Sequence, residues 1–180
     1  VKMMYWYVFF VKTGKEYKVV QYLKDRLDQN VFMPFVPLEE RLFKTAGKVK
    51  RELKPLFPGY VFIETDLPSK EFIKRTSILI HTSLDIICLL RYSNTEVAMR
   101  ESERQMLLSI CNDERCIESS IGIIKGDRIY ITDGPLKGKE SIVCKINRHT
   151  RRAIIKLGFL GEERLVNVSL EIVKKIDVEK

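Results

Sequence analysis

An α+β module followed by a small β-barrel is the fold class this sequence predicts, on three observations. A run of aromatic and β-branched residues, Tyr5-Trp6-Tyr7-Val8-Phe9-Phe10-Val11, passes directly into an amphipathic helical spacing. A second apolar run, Tyr60-Val61-Phe62-Ile63, is introduced by the turn chemistry of Lys54-Pro55-Leu56-Phe57-Pro58-Gly59. After residue 120 the helical period disappears, and short strands alternate with Gly-bearing turns. The expected division is a first domain over 1–111, a linker over 112–120 and a second domain over 121–180.

The first run has no breaker and reads as a strand buried on both faces. Thr13-Gly14-Lys15-Glu16 fits a capping box, and Val20, Leu23 and Leu27 then mark a helix that leaves Lys18, Lys24 and Arg26 to solvent. Val31 to Leu38, broken by Pro34 and Pro37, is an edge strand or an extended connection. Arg41 to Glu52 looks like a basic hairpin around Gly47. A solvated loop is the plain alternative, and the functional reading gives Lys44, Lys48, Lys50 and Arg51 to the phosphates of duplex or displaced-strand DNA. Pro55 and Pro58 forbid a helix through the next turn, and Tyr60 to Ile63 reads as a central strand. Pro68-Ser69 starts a short helix. Ile78 to Leu90 is an irregular apolar series whose second half, Ile86 to Leu90, reads as a strand, and Ser102-Glu103-Arg104-Gln105 is a second possible capping box. Beyond the linker the alternation at Arg128 to Thr132 and Ser141 to Ile146, then the segments 153–157, 164–168 and 170–173, make about five short strands.

Charge refines this division. Net charge is +8, distributed as +5 before residue 112, −2 over 112–120 and +5 after it. Such a balance favours a polyanionic partner. Fifteen of the 17 aromatic residues precede residue 112, so a nucleic-acid contact by the second domain would work through phosphates and shape, not through stacking. No apolar run is long enough to span a membrane, and a cytoplasmic protein is expected. The four cysteines lack metal-ligand spacing, and His81 and His149 are the only histidines, so neither a metal nor a cofactor is expected. Gly134 to Glu140 is one residue too short for a phosphate loop and lacks its Ser or Thr, and no nucleophile and base pair stands out, so enzymatic function is not expected.

The aromatic first strand, the helix after Gly14 with Glu16 and Val19, Lys54-Pro55-Leu56-Phe57-Pro58-Gly59-Tyr60-Val61 and Gly126-Asp127-Arg128-Ile129-Tyr130-Ile131-Thr132-Asp133-Gly134-Pro135-Leu136-Lys137-Gly138 together resemble the NusG family of transcription factors. The resemblance implies an NGN domain, an α/β sandwich with a mainly antiparallel sheet flanked by helices, followed by an SH3-like KOW barrel. It implies that the first domain binds the clamp helices of the RNA polymerase largest subunit through an apolar patch, matched here by Tyr7, Phe9, Phe57, Pro58, Tyr60 and Phe62. Those side chains are equally candidates for the core, and alternation puts Tyr60 and Phe62 on one face.

Set against that family, Ile78 to Leu84 looks like an insertion before the last strand of the first domain, and His81-Thr82-Ser83 is similar to the polar motif by which the paralogue RfaH meets the opposite pincer of the polymerase cleft. Lys137-Gly138-Lys139 and Arg148-His149-Thr150-Arg151-Arg152 make the second domain more basic than protein docking alone requires, which looks like the LoaP branch of antiterminators. That branch implies an RNA hairpin in the transcript leader as partner, held here by Arg148, Arg151, Arg152 and Lys156. The alternative is a general NusG-type elongation factor whose second domain docks on a ribosomal protein or the Rho terminator. Upstream or non-template DNA is a further expected partner, and the protein is expected to be a monomer.

Overall fold

The computed structural model describes residues 2–179, which form two compact units, neither continuous in sequence. The first comprises the chain up to Pro37, Phe57–Arg104 and Phe159–Glu162; the second comprises Leu38–Leu56, Gln105–Gly158 and the chain from Glu163. The segment 38–56 therefore groups with the second unit, and a four-residue turn at 159–162 groups with the first.

The first unit is built on a four-stranded sheet of β1 (Tyr5–Val11), β2 (Phe32–Phe35), β5 (Tyr60–Thr65) and β6 (Ile86–Leu89), in the order β2-β5-β1-β6. All three pairings are antiparallel. The central place of β5 and the edge place of β2 follow the sequence: Pro34 cannot donate to a second neighbour, whereas Val61, Phe62 and Ile63 are all fully buried. Register sorts the rings. Tyr7 opposes Ile63 and Phe9 opposes Val61 on one face, while Val8 opposes Phe62 and Phe10 opposes Tyr60 on the other.

Two helices follow strands of this sheet, α1 (Glu16–Arg26) and α2 (Ser69–Thr82). Phe72 of α2 stacks on Tyr7 at 3.8 Å between ring centroids and lies 6.0 Å from Phe9. The helix starts after Pro68 as the sequence predicts but runs to Thr82, so the expected insertion at 78–84 is largely its last turn. Neither expected capping box forms. Lys15 is the cap of α1 and makes no side-chain bond, because Glu16 is buried and its Oε1 accepts the backbone N–H of Gly59 at 2.8 Å. Ser102 lies inside α3 (Glu101–Ile110), whose first turn closes on the Arg100 carbonyl.

In the second unit the expected basic hairpin is present as β3 (Leu38–Thr45) and β4 (Lys48–Pro55), joined by Ala46 and Gly47, both in the left-handed region. Within the expected linker, β7 (Cys116–Ile117) pairs in parallel with Leu38 and Glu39, and Asn112 Oδ1 accepts the amides of Glu114 and Cys116.

The barrel module is a five-stranded sheet of β8 (Ser120–Lys125), β9 (Arg128–Asp133), β10 (Val143–Asn147), β11 (Arg152–Phe159) and β12 (Glu162–Ile176), ordered β10-β11-β12-β8-β9. The two strands expected after residue 163 are one continuous strand, and β8 is a strand beyond those expected. Alternate residues Ala153, Ile155 and Leu157 of β11 and Val166, Val168 and Leu170 of β12 fill its core with Leu136. Gly134 lets the turn after β9 approach β8 closely: a Cβ there would stand 2.7 Å from both Cα and Oγ of Ser120, whose Oγ accepts the Leu136 amide.

Glu16→Ala leaves the Gly59 amide unpaired in the interior and is expected to cost about 1–3 kcal/mol in urea unfolding. Gly59→Ala, at φ +90 and with Val11 O, Phe10 and Thr13 about 3.5 Å from the new Cβ, is expected to cost about 1–2 kcal/mol by the same measurement.

Candidate functional site: an aromatic pocket and two basic turns

Beyond the turn at Gly59, on the face of the sheet that carries Val8 and Phe62, rings from separate segments of the first unit converge. Phe57 lies 5.9 Å from Phe62, Phe35 5.5 Å from Phe62, and Phe10 5.4 Å from Tyr60. The pocket they form is filled by Phe159, whose ring is 4.7 Å from Phe57, 5.0 Å from Tyr60 and 6.1 Å from Phe62. Phe159 is 2% exposed.

Its turn is held in place by more than the ring. Leu160 and Gly161 are both left-handed, and the Gly161 amide donates to Glu103 Oε2 at 3.1 Å. Tyr92 donates its hydroxyl to the other oxygen of the same carboxylate, and a Cβ on Gly161 would stand 3.2 Å from the Tyr92 ring. Burial, reinforced by that hydrogen bond, pushes the Tyr92 hydroxyl pKa far up, so it remains a donor.

The six apolar candidates therefore separate. Tyr7 and Phe9 are fully buried beneath Phe72, and the Tyr7 hydroxyl donates to the Leu67 carbonyl at 2.7 Å. They belong to the core, because opening such a stack exposes rings whose burial is each worth about 2–3 kcal/mol. Phe57, Tyr60 and Phe62 line the pocket, and Pro58 is exposed at its rim. Sequence reasoning missed Phe159, Tyr92 and Glu103. One signal was present: Phe159 is the only phenylalanine after residue 111 and sits between Gly158 and Gly161.

His81 is exposed on the last turn of α2, while Thr82 donates to the Ile78 carbonyl at 2.8 Å and lies 2.9 Å from the Tyr22 hydroxyl. Ile78, Leu84 and Ile87, exposed by 66%, 84% and 51%, belong to this turn and the strand after it.

The basic candidates also separate. Arg152 donates to both oxygens of Glu39 at 2.6 and 2.7 Å and to Ser169 Oγ at 3.1 Å. Its side chain is 15% exposed and that of Glu39 8%, so the pair neutralises a buried carboxylate and is structural. Arg51 gives its Nε to Glu40 at 2.5 Å, which raises its pKa further. Arg151 faces Glu171 at 3.6 Å and Lys156 faces Glu163 at 3.8 Å; these are solvent-exposed pairs that a phosphate can replace at little cost. Lys44, Lys48, Lys50, Lys137, Arg148 and His149 are exposed, Lys139 is half-buried, and none of these has an ion-pair partner among the described residues.

The second unit's basic side chains occupy separate turns. Arg148, His149 and Arg151 share the turn between β10 and β11, where Asn147 Oδ1 accepts the Thr150 amide and Arg151 is left-handed. Lys137 and Lys139 lie after β9, and Lys44, Lys48 and Lys50 lie on the β3–β4 hairpin. Among the described residues no cluster of His, Cys, Asp or Glu is placed to hold a metal, and no helix is long and apolar enough to cross a membrane. Cys88 and Cys144 are exposed, and burial pushes the Cys111 thiol up to about 12.

The family model described as "Transcription termination factor nusG" matches residues 4–108. The chain belongs to the NusG family. It is 23% identical over 179 residues to the "Transcription termination/antitermination protein NusG" of Thermus thermophilus, covering 94% of this chain and 97% of that protein. It is 22% identical over 180 residues to the protein of the same name in Staphylococcus epidermidis, covering 95% of each. Among solved structures it resembles that described as "Domain interaction in Thermotoga maritima NusG", with a TM-score of 0.54, 16% identity and 94% of each chain covered. This NusG-type protein is thus a non-enzymatic transcription termination/antitermination factor with the mixed α and β fold of its relatives.

Arg152→Ala strands a buried carboxylate and is expected to cost about 3 kcal/mol in denaturant unfolding, whereas Arg148→Ala stays within about 0.5 kcal/mol of the parent.

Proposed function

We propose that this NusG-family protein is a processive antiterminator of the LoaP type. The ring pocket of the first unit docks on the clamp helices of RNA polymerase, and the turn between β10 and β11 grips an RNA hairpin in the leader transcript. The observation that carries the RNA reading is the turn 147–152: among the described residues Arg148 and His149 are exposed without an acidic partner, and the Arg151 side chain makes a surface ion pair with Glu171. Cations at a tight turn can enter the groove of an A-form helix and release counterions from its phosphates. Lys156, Lys137 and Lys139 extend the basic surface, and Arg152 contributes by holding the base of the turn.

Docking supplies no covalent chemistry. Contacts to the clamp through the pocket and to the opposite pincer through His81, with Ile78 and Leu84 beside it, would favour the closed polymerase by a differential binding energy of a few kcal/mol. The RNA hairpin would raise the local concentration of the factor at its operon. Lys44, Lys48 and Lys50 would meet upstream or non-template DNA. The protein acts in the cytoplasm as a monomer.

The full-length similarity to general NusG proteins favours a second reading, in which the barrel docks on a ribosomal protein or Rho and no particular RNA is bound. Reconstituted transcription through a terminator, with and without a candidate leader hairpin, separates the two: readthrough that requires the hairpin supports the first. Arg148→Ala with Arg151→Ala is expected to weaken hairpin binding about tenfold in a gel shift and to lower the salt slope by about 2; unchanged affinity sinks the RNA assignment. Phe159→Ala removes the pocket's occupant and is expected to raise affinity for purified polymerase several-fold while lowering stability by about 3 kcal/mol. Weaker polymerase binding by a folded variant would show that the pocket is not the docking site.

A further inference from the structure

We propose that the β3–β4 hairpin is a single-strand nucleic-acid site, in which the Phe43 ring stacks on an unpaired base while Arg41, Lys48 and Lys50 hold the adjoining phosphates. The proposal rests on the reading above only in taking this hairpin to face nucleic acid; it adds the state of the ligand and the side chain that recognises it.

Register defines the face. Arg41 opposes Glu52, Phe43 opposes Lys50 and Thr45 opposes Lys48, and opposed residues of an antiparallel pair project to the same side. Leu42 with Arg51, and Lys44 with Val49, fall on the other side. From Arg41 to Arg51 the hairpin carries five basic residues and no acidic one. Arg51 is engaged by Glu40 on that other side, and the Glu52 carboxylate lies 3.7 Å from the Lys54 ammonium. No ion pair joins Arg41, Lys48 or Lys50 among the described residues.

Phe43 is the anomaly on this face. Of the nine phenylalanines it is the one that stands exposed, by 40%, while the others are buried or half-buried in the first unit. Folding of the hairpin does not require a ring there, since Ala46 and Gly47 already set a turn whose twist matches the strands. A ring surrounded by unpaired cations suits a ligand that offers both π-faces and phosphates. In a duplex the base faces are covered by their neighbours, so Phe43 can contribute only where a strand is unpaired.

The test uses the full chain and dye-labelled DNA and RNA oligonucleotides of about ten nucleotides, each as single strand and as duplex, followed by fluorescence anisotropy. Single strands are expected to bind more tightly than duplexes. Phe43→Ala is expected to weaken single-strand binding about tenfold and to leave duplex binding unchanged. Phe43→Trp is expected to restore it, with emission quenched on adding the strand; Trp6, 1% exposed, supplies a constant background. Lys48→Ala with Lys50→Ala is expected to lower the salt slope by about 1.4.

The arms with DNA and RNA identify the source of the strand, and tight binding of either with these signatures supports the proposal. Parental single-strand affinity in Phe43→Ala, an equal loss on duplexes, or an unquenched Phe43→Trp overturns it. Arg148→Ala with Arg151→Ala is expected to lower RNA-duplex and hairpin affinity while leaving the single-strand loss caused by Phe43→Ala and the quenching of Phe43→Trp unchanged, so loss of the leader-hairpin reading and loss of this one are told apart.

Discussion

A buried carboxylate gripping a distant backbone amide is the constraint on which the first unit depends. Glu16 opens α1, yet its oxygen satisfies Gly59, 43 residues away, at the entrance to β5. The same glycine offers its carbonyl to the Val11 amide at 2.8 Å, so the end of β1, the start of α1 and the start of β5 are tied at one point. That knot fixes the register of the central strand pair. A slip of one residue would exchange the two faces of β5, driving Phe62 toward α2 and Val61 into the pocket. The left-handed geometry of Gly59 also turns Phe57 back over Phe62, which is why the rings that form the pocket come from both sides of the turn.

A second constraint is the division of labour among the cations. The bonds that hold the second unit use arginine: Arg152 on Glu39 and Arg51 on Glu40, adjacent residues of β3 whose side chains project to opposite faces. Arg152 reaches both Glu39 oxygens through Nη2 and Ser169 through Nη1, and a guanidinium is weakly hydrated, so it suits a site with little access to water. The side chains left unpaired on the β3–β4 hairpin are mainly lysines, compact charges that stay hydrated and exchange partners readily. Net charge alone therefore overstates what is available to a polyanion. Arg152 spends its charge on a buried carboxylate and Arg51 on a neighbouring acid at the surface, and the remainder lie on exposed strands and turns.

Much of this organisation was legible in the sequence, because it is written in local terms. Periodicity located β1, α1 and β5, Pro34 put β2 at the edge, and glycines marked the hairpin turns. What escaped is governed by distance along the chain. Thr13 to Glu16 has the residues of a capping box, but a tertiary amide competes for the carboxylate and wins. Arg152 looks like any other basic turn residue until Glu39 is placed beside it, 113 residues away. Tyr7 and Phe9 differ from Tyr60 and Phe62 only in which face of the sheet they occupy, and a continuous aromatic run cannot disclose that. The polar stretch at 112–120 has no period because its hydrogen bonds go to asparagine and to β3, not to a regular ladder.

Occupation of the pocket by Phe159 bears on how a docking partner would act on the proposed reading. The ring is delivered by its own chain, so it competes at an effective concentration set by the connecting backbone and not by expression level. If its seat is favoured by about 2–3 kcal/mol, as burial of one aromatic side chain supplies, only about 1–3% of molecules present an open pocket. Apparent affinity for any ligand of the open pocket then falls by the same factor. The bonds from Glu103 to Gly161 and Tyr92 deepen the seat, and they are directional where the ring contact is not. A partner that offers only an apolar side chain would replace the ring yet leave the Gly161 amide to solvent. Tuning of occupancy therefore falls to Glu103, a residue that need not touch the incoming partner at all.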